Sequence, residues 1–271
     1  MQLFYELQSD DQFVYHYTKA ATLVQYILPT LEIRFSRLEA TNDPREYKCW
    51  EFGFGTNANF DPEFEDLTTA GEASNLVKAN CHVFCSTLDD SSSVGMGIDK
   101  INGRGFCRPR MWAQYAENHT SACLVFVKAA LHRSIEAAIP ENCSLYFGPV
   151  AYRNRSQAPS LTRNPFILNY DYLRTAGLRR AMTVHVQQYY RELFLEKSFD
   201  WADEREYRWL TNPIESGQLL VPIQSALAAV VLGDNVSGSL ENVVATKARD
   251  AKFKVGRLNW KLGVPEILPV N

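Results

Sequence analysis

The stretch WADEREYRWL, residues 201–210, predicts a short strand because aromatic and apolar residues flank its charges. Side chains alternate between the two faces of a strand, so Glu204, Glu206 and Arg208 would share one face. The two carboxylates would then lie about 7 Å apart and oppose each other's ionisation, so one of them would hold its proton more tightly, an effect that Arg208 on the same face would offset. The competing interpretation is an edge strand whose outer face carries solvated charge.

The composition is that of an ordinary globular protein with enough apolar residues to bury a core. Hydrophobic residues make up 46% of the 271 residues and charged residues 22%, which is typical of a folded domain. The formal net charge is -3, so no overall field favours nucleic acid or an anionic membrane. Because no Pro/Ser/Gly linker divides the chain, we expect one domain, 1–271, with insertions at about 53–78, 88–110 and 153–198.

The N-terminus, the apolar runs and the cysteines predict a cellular compartment. The N-terminus lacks the basic start and apolar run of a signal peptide, and no apolar run approaches the roughly 20 residues that cross a bilayer. The six cysteines are scattered, and several lie in apolar strand-like runs, where a thiol packs as a small hydrophobe. We expect a cytoplasmic protein with reduced cysteines, without membrane contact and without a bound metal.

Strands and helices interleave without the regular alternation of a doubly wound sheet, which predicts an α+β fold. Thr18 would cap the first helix, and Gly177 would break the long one. The strand at 122–127 would be central, because it is apolar on both faces. The pattern predicts strands at 13–18, 81–86, 122–127 and 201–210, and helices at 20–28, 111–116 and 168–197.

The familiar catalytic motifs are missing from the sequence. It contains no glycine-rich phosphate loop, no G-x-S-x-G elbow and no H-E-x-x-H zinc helix. What remains is His16 on the first predicted strand, Trp112 and Tyr115 on one face of a short helix, and the Glu204-Arg-Glu206 motif. Each of these features is more often structural than catalytic, so any functional interpretation depends on their combination.

This combination resembles the H-Y-E arrangement of ADP-ribosyltransferases, with a His on the first strand, an aromatic residue in mid-chain and a catalytic Glu on a late strand. The start V-Y-H-Y-T, followed by a short helix, is similar to the DarT-type enzymes that modify DNA. The motifs H-Y-T, N-D-P-x-E, M-W-x-x-Y-A, V-x-Y and W-x-x-E-x-E-Y-R are also similar to those of a broad bacterial family of unassigned function. The resemblance implies an ADP-ribosyltransferase-like split sheet, mixed or antiparallel, with helical insertions.

The resemblance also implies NAD as co-substrate and assigns roles to the site residues. Glu206 would stabilise the positive charge that develops on the ribose, and Glu204 would activate or select the acceptor. His16, with Thr18 in an H-x-T motif, would hydrogen-bond the adenosine ribose, and the backbone of Tyr17 would hold the carboxamide. Tyr115 or Trp112 would stack on nicotinamide. Arg208 or Arg45 would bind the pyrophosphate.

The expected acceptor is a macromolecule, either DNA, RNA or protein. The basic run from Lys100 to Arg110, with Phe106 and Trp112 nearby, suits nucleic acid because cations track phosphates and aromatic rings stack on bases. An ordinary solvated loop explains the same run equally well. The resemblance further implies a bacterial toxin or anti-phage effector that is restrained by an inhibitory antitoxin partner.

Two other classes of function compete with this interpretation. In a metal-dependent nuclease or hydrolase, carboxylates and an imidazole would bind Mg²⁺ or Mn²⁺; the candidates are Asp43, Glu46, Glu204, Glu206 and His16. In a non-catalytic sensor or binding module, Glu204 and Glu206 would pair with Arg208 and Arg205 and do nothing else. Surface pairs of that kind contribute only about 0–1 kcal/mol.

Overall fold

The computed structural model describes residues 12–55, 65–90, 101–153, 164–212 and 218–270. Its strands are β1 Phe13–Thr18, β2 Glu32–Arg34, β3 Ser36–Arg37, β4 Gly53–Gly55, β5 His82–Thr87, β6 Ala122–Val127, β7 Ser144–Pro149, β8 Ala151–Arg153, β9 Ile167–Asn169, β10 Glu196–Ser198, β11 Glu206–Asn212, β12 Leu220–Pro222, β13 Leu227–Leu232, β14 Lys254–Lys261 and β15 Val264–Pro269.

The first helix, α1, consists of Ala20–Thr22, a π-helical turn Leu23–Ile27, and Leu28–Thr30. The other α-helices are α2 Pro44–Tyr47, α3 Glu65–Lys78, α4 Pro109–Tyr115, α5 Lys128–Ala138, α6 Tyr170–Ala176, α7 Leu178–Phe194 and α8 Gly238–Ala251. Short 3-10 segments lie at Leu38–Ala40, Gly105–Cys107 and Phe199–Glu204. In this part of the chain, no helix has the length and apolar character needed to cross a membrane.

Within the described residues, nine strands form one mixed sheet in the order β15-β14-β13-β6-β1-β5-β11-β7, with β3 also paired to β5. Strands β13 and β14 pair in parallel, whereas the other neighbours in this sheet are antiparallel. The α+β class that the sequence predicts is therefore confirmed. Strand β6 lies between β13 and β1, which is the central position predicted from its two apolar faces.

The alternation along β1 separates two hydrophobic layers, one on each face of the sheet. Tyr15 and Tyr17 pack with Trp112 of α4 on one face, and Val14 packs with residues of α5 and α8 on the other. Full burial of one such side chain is worth about 1.5–3 kcal/mol, so both layers hold β1 firmly in the middle of the sheet. His16, the one residue of β1 that is only partly buried, is thereby placed on a rigid element.

The sheet opens between β1 and β5. In the described part of the chain these two strands pair at one position, Tyr15 with Thr87, and β3 pairs with the other end of β5 at Val83. Between these two pairings the edge of β5 is left without a strand partner. The side chain of His16 reaches across the opening, and its Nδ1 lies 2.9 Å from the carbonyl oxygen of Cys85.

The stretch 201–210 differs from the predicted strand. Phe199–Glu204 is a 3-10 segment, Arg205 has a left-handed backbone with φ of 45°, and the strand begins only at Glu206. Strand β11 lies between β5 and β7, and Glu204, Glu206 and Arg208 are 6%, 6% and 1% exposed. The edge-strand interpretation with solvated charge is therefore wrong, because neighbouring strands and α7 cover these side chains.

Two local predictions have different outcomes. Thr18 is not the cap of α1, since the N-cap position falls on Lys19 and the carboxylate of Glu117 accepts the Ala20 amide at 2.9 Å. The break near Gly177 is confirmed, because its φ of 78° separates α6 from α7.

Residues 1–11, 56–64, 91–100 and 154–163 lie outside the described residues. The expected N-terminal features and parts of the three predicted insertions fall within these ranges.

Candidate functional site

The opening between β1 and β5 leads into a cavity of about 770 Å³. His16, Tyr115, Glu204 and Glu206 all line it, which brings the beginning, middle and end of the predicted site together. Tyr15 of β1 and Glu206 of β11 both pair with Thr87 of β5, so His16 adjoins the residue that stands two strands from Glu206. The volume falls within the range of about 300–1,000 Å³ that is usual for ligand pockets.

Two cationic side chains hold the carboxylate of Glu206. Arg208 donates from Nε to Oε1 at 2.8 Å and from Nη2 to Oε2 at 2.9 Å, which is a bidentate pair. The Nζ of Lys197 lies 3.0 Å from Oε2. Glu206 is therefore anchored from its own strand, β11, and from β10.

Nearby cations determine the protonation state of Glu206. Burial alone would raise the pKa of Glu206, but the positive charges of Arg208 and Lys197 outweigh burial and lower it to about 2. The offset expected from Arg208 is therefore present, and Lys197, which lies outside the strand pattern, adds to it, so Glu206 is not the carboxylate that holds its proton more tightly. Glu206 is ionised at neutral pH.

Glu204 is held on two sides. Its Oε2 lies 2.7 Å from the Nζ of Lys197, and its Oε1 accepts a hydrogen bond of 2.6 Å from the hydroxyl of Tyr115. The Nδ2 of Asn42 in turn donates to the Tyr115 hydroxyl at 3.0 Å. The pKa of Tyr115 is raised, mainly by burial and then by the negative charge of Glu204. The Tyr115 hydroxyl therefore remains protonated and acts as a donor.

Lys197 links the two glutamates and was not selected from the sequence. It lies in β10, its side chain is 4% exposed, and the ring of Trp201 covers its ammonium at 5.0 Å. Burial would lower the pKa of Lys197, but Glu206 and Glu204 together raise it well above its usual range. A single Lys before a charged 3-10 segment offers no signal that could have predicted this position.

The N-D-P-R-E motif at 42–46 enters the site as well, although the sequence alone favours a capped turn. Asp43 is indeed the N-cap of α2, with its side chain accepting from the amide of Arg45. The cap directs Glu46 inward, where its Oε1 lies 2.5 Å from the Nη1 of Arg208. The motif was thus a signal for a third site carboxylate, in addition to the turn it predicts.

His16 is held in a defined protonation state. Its Nδ1 faces the Cys85 carbonyl, which only accepts, so Nδ1 carries the proton and Nε2 is an acceptor. Burial lowers the pKa of His16, which keeps the ring neutral. The ring also packs against Phe84 with 4.7 Å between centroids, so its orientation is fixed.

Trp112, Tyr17 and Thr18 are core residues. Trp112 is 0% exposed and donates from Nε1 to the Phe106 carbonyl at 2.8 Å, so it presents no surface to a ligand. The hydroxyl of Tyr17 donates to the Gly105 carbonyl at 2.6 Å, although other atoms of Tyr17 line the cavity. Of the two aromatic candidates, Tyr115 is the one at the cavity.

The two arginines predicted to meet a pyrophosphate are both engaged inside the protein. Arg45 donates to the backbone carbonyls of Glu192 and Glu196, and Arg208 donates to that of Phe194 in addition to its carboxylate contacts. Arg34, which the sequence analysis did not select, is exposed and lines the cavity. Of Arg34, Arg45 and Arg208, Arg34 is the best placed to bind an anionic ligand.

The basic run does not form the expected loop. Arg104 pairs with Asp89 at 2.8 Å with both side chains 5% exposed, and Phe106 is fully buried, so Phe106 offers no ring for base stacking. Arg108 donates to the Asp203 carbonyl at 3.3 Å, and Arg110 forms an exposed ion pair with the side chain of Asp203. The base-stacking role is wrong for Phe106 and Trp112, whose rings are buried, and the solvated-loop alternative is wrong for the buried residues 103–107. Arg110 is exposed, and Lys100 lies outside the described residues.

Three of the five candidate metal ligands, Glu46, Glu204 and Glu206, are neutralised by cations of the protein. No group of three His, Cys, Asp or Glu side chains in the described ranges is arranged to hold a metal ion. The Lys197 ammonium lies between Glu204 and Glu206, and the Arg208 guanidinium lies between Glu206 and Glu46. Cationic side chains thus take the places between carboxylates at which a divalent ion would bind.

Residues 111–209, a little over a third of the chain, match the model of a family described as a protein of unknown function, DUF2971. The matched segment contains Tyr115, Lys197, Glu204, Glu206 and Arg208, whereas His16 and the 42–46 motif lie before it. Neither the curated proteins nor the solved structures include a match to this chain.

Proposed function

We propose that this protein transfers ADP-ribose from NAD to a macromolecular acceptor. The observation that carries the proposal is the shared cavity of His16 and the Glu204–Glu206 pair, with carboxylate charge held inside it. The resemblance of the three motifs to the H-Y-E arrangement supports the same chemistry. The proposal does not depend on a metal, because cations of the protein already balance the carboxylates.

The carboxylate pair would lower the barrier to transfer by electrostatics. Bound NAD would supply the ADP-ribosyl group: the bond from ribose C1′ to nicotinamide breaks, nicotinamide leaves with the bonding electrons, and the acceptor bonds to C1′ and releases its proton. A buried carboxylate next to the ribose stabilises the positive charge more in the transition state than in the ground state. Lys197 and Tyr115 would hold that carboxylate in place throughout.

The other cavity residues would orient the dinucleotide. The Nε2 of His16 is an acceptor in a neutral ring, which suits a ribose hydroxyl. Tyr115 has its hydroxyl tied to Asn42 and Glu204, so its ring would provide a fixed surface for nicotinamide. Arg34 would meet the pyrophosphate with its guanidinium.

The proposed acceptor is DNA, RNA or protein, and the proposed setting is a bacterial toxin or anti-phage effector. An enzyme that modifies macromolecules of its own cell requires restraint, so the proposal includes an inhibitory antitoxin partner. Digestion of a labelled product with DNase, RNase or protease identifies the acceptor. Growth arrest on expression of the wild-type protein, relieved by a carboxylate substitution, tests the setting.

The direct test uses NAD labelled in the adenosine half, incubated with the pure protein and a cell extract. We expect transfer of label and release of nicotinamide by the wild-type protein and by Glu72→Gln, a control on the exposed side of α3. Replacing Glu204 or Glu206 with Gln should lower both signals. Circular dichroism confirms that each variant is folded before it is compared.

Addition of EDTA separates the proposed function from its main competitor. Transfer that persists in EDTA supports ADP-ribosylation by protein groups alone. Cleavage of nucleic acid that EDTA abolishes, without nicotinamide release, would instead identify a metal-dependent nuclease. Complete inactivity in each extract and condition would favour the non-catalytic binding module.

A further inference from the structure

The two carboxylates differ in how many of their lone pairs are already used. An ionised carboxylate offers about four acceptor positions. Glu206 receives two hydrogen bonds from Arg208 and lies 3.0 Å from the Lys197 ammonium, so about one of its positions is left. A substrate hydroxyl could reach Glu206 only at this position, next to two buried cations.

Glu204 still has hydrogen-bond acceptor positions for a ligand. It accepts from Tyr115 at one oxygen and from Lys197 at the other, which leaves about two positions for a ligand. It comes from the 3-10 segment that precedes β11, and it lines the cavity together with His16 and Tyr115. Both of its present contacts hold the side chain in place and neither closes it off from the cavity.

From this difference we infer that Glu204 is the carboxylate that contacts the substrate, and that Glu206 is a positioning residue that fixes Lys197 and Arg208. The inference rests on the proposed function and reverses the roles that the E-x-E resemblance implies for the two glutamates. Glu206 would act on Glu204 through Lys197, because the Lys197 ammonium lies 3.0 Å from Glu206 and 2.7 Å from Glu204.

Arg208 explains why Glu206 serves as the anchor. The guanidinium is 1% exposed and joins Glu206 to Glu46 and to the Phe194 carbonyl, so it needs a permanent counter-ion. Removing one partner of a buried ion pair leaves an uncompensated charge, which is strongly destabilising. Loss of Glu204 leaves Lys197 with Glu206 as its partner and therefore perturbs the folded state less.

The test compares Glu204→Gln, Glu206→Gln and the control Glu72→Gln by calorimetry and by nicotinamide release over a range of NAD concentrations. Turnover is measured well below the lowest Tm, so that each variant is folded. We expect Glu206→Gln to lower the Tm by about 10 °C and Glu204→Gln to lower it by less than half as much. We expect kcat to fall about 100- to 1,000-fold in Glu204→Gln and about tenfold in Glu206→Gln.

Substitution of Lys197 tests the positioning itself. Lys197→Met should lower kcat to a level similar to that of Glu206→Gln, and Lys197→Arg should recover most of the loss because it restores a cation between the carboxylates. A role for Lys197 in stability alone would change the Tm of these variants without this recovery of kcat.

The inference is overturned if Glu206→Gln abolishes turnover at an unchanged Tm while Glu204→Gln remains active. In that case the proposed function stands and the roles follow the resemblance. If the wild-type protein releases no nicotinamide, the proposed function and the substrate role of Glu204 both fail. The Tm comparison then decides the anchoring role separately, and equal losses in the two variants reject it.

Discussion

Acid titration of the folded protein provides a direct measure of the ion cluster around Glu206. Arg208 and Lys197 lower the pKa of Glu206 from 4.5 to about 2, so the unfolded chain takes up this proton before the folded one does. The resulting stability is present above pH 4.5 and is lost as the pH falls toward 2. At 1.36 kcal/mol per pH unit it amounts to about 3 kcal/mol, of which about 2 kcal/mol is lost between pH 7 and pH 3.

The assay is urea unfolding, followed by tryptophan fluorescence, of the wild-type protein and Glu206→Gln at several pH values. Other carboxylates titrate in both proteins, so the difference between the two free energies of unfolding isolates Glu206. We expect this difference to shrink by about 2 kcal/mol from pH 7 to pH 3. A difference that stays constant would show that Glu206 is not held ionised by Arg208 and Lys197. For the Glu72→Gln control, the difference in free energy of unfolding from the wild type should not shrink by about 2 kcal/mol between pH 7 and pH 3.

Two further predictions concern the aromatic pair and the turn before β11. Trp112→Ala should lower the free energy of unfolding by about 3–5 kcal/mol. Tyr115→Phe should cost only about 1 kcal/mol but slow nicotinamide release; a large stability loss in Tyr115→Phe, measured by urea unfolding, would contradict its place at the cavity. Arg205→Val should be about 1–2 kcal/mol less stable than Arg205→Gly, because the left-handed backbone at φ 45° disfavours a β-branched side chain. Both variants lose the ion pair with Asp90, so equal stability would show that this backbone strain is absent.

Local patterns explain why much of the fold was predictable. The central position of β6 follows from an apolar run on both faces, and the separation of α6 from α7 follows from Gly177, whose positive φ suits glycine. Alternation along 13–18 placed Tyr15 and Tyr17 on one face of a strand, as observed. These features depend on residues that are close together in the chain, so the sequence pattern predicts them.

The arrangement of the candidate site was less predictable because it depends on contacts between distant segments. Lys197 reaches Glu204 and Glu206 only through the pairing of β10 with β8 and the turn at Arg205. No sequence spacing encodes its position. The low pKa of Glu206 was only partly predictable for the same reason, since the pattern contained Arg208 but omitted Lys197.

The sequence by itself determined the α+β class and the central position of β6, because periodicity and short motifs record local preferences. Only the tertiary structure decided that Trp112 is core and Tyr115 is at the cavity, that Arg45 and Arg208 are internal, and that the glutamates share an ammonium. Burial and charge pairing arise from residues far apart in the chain, so they exist only once the strands have come together.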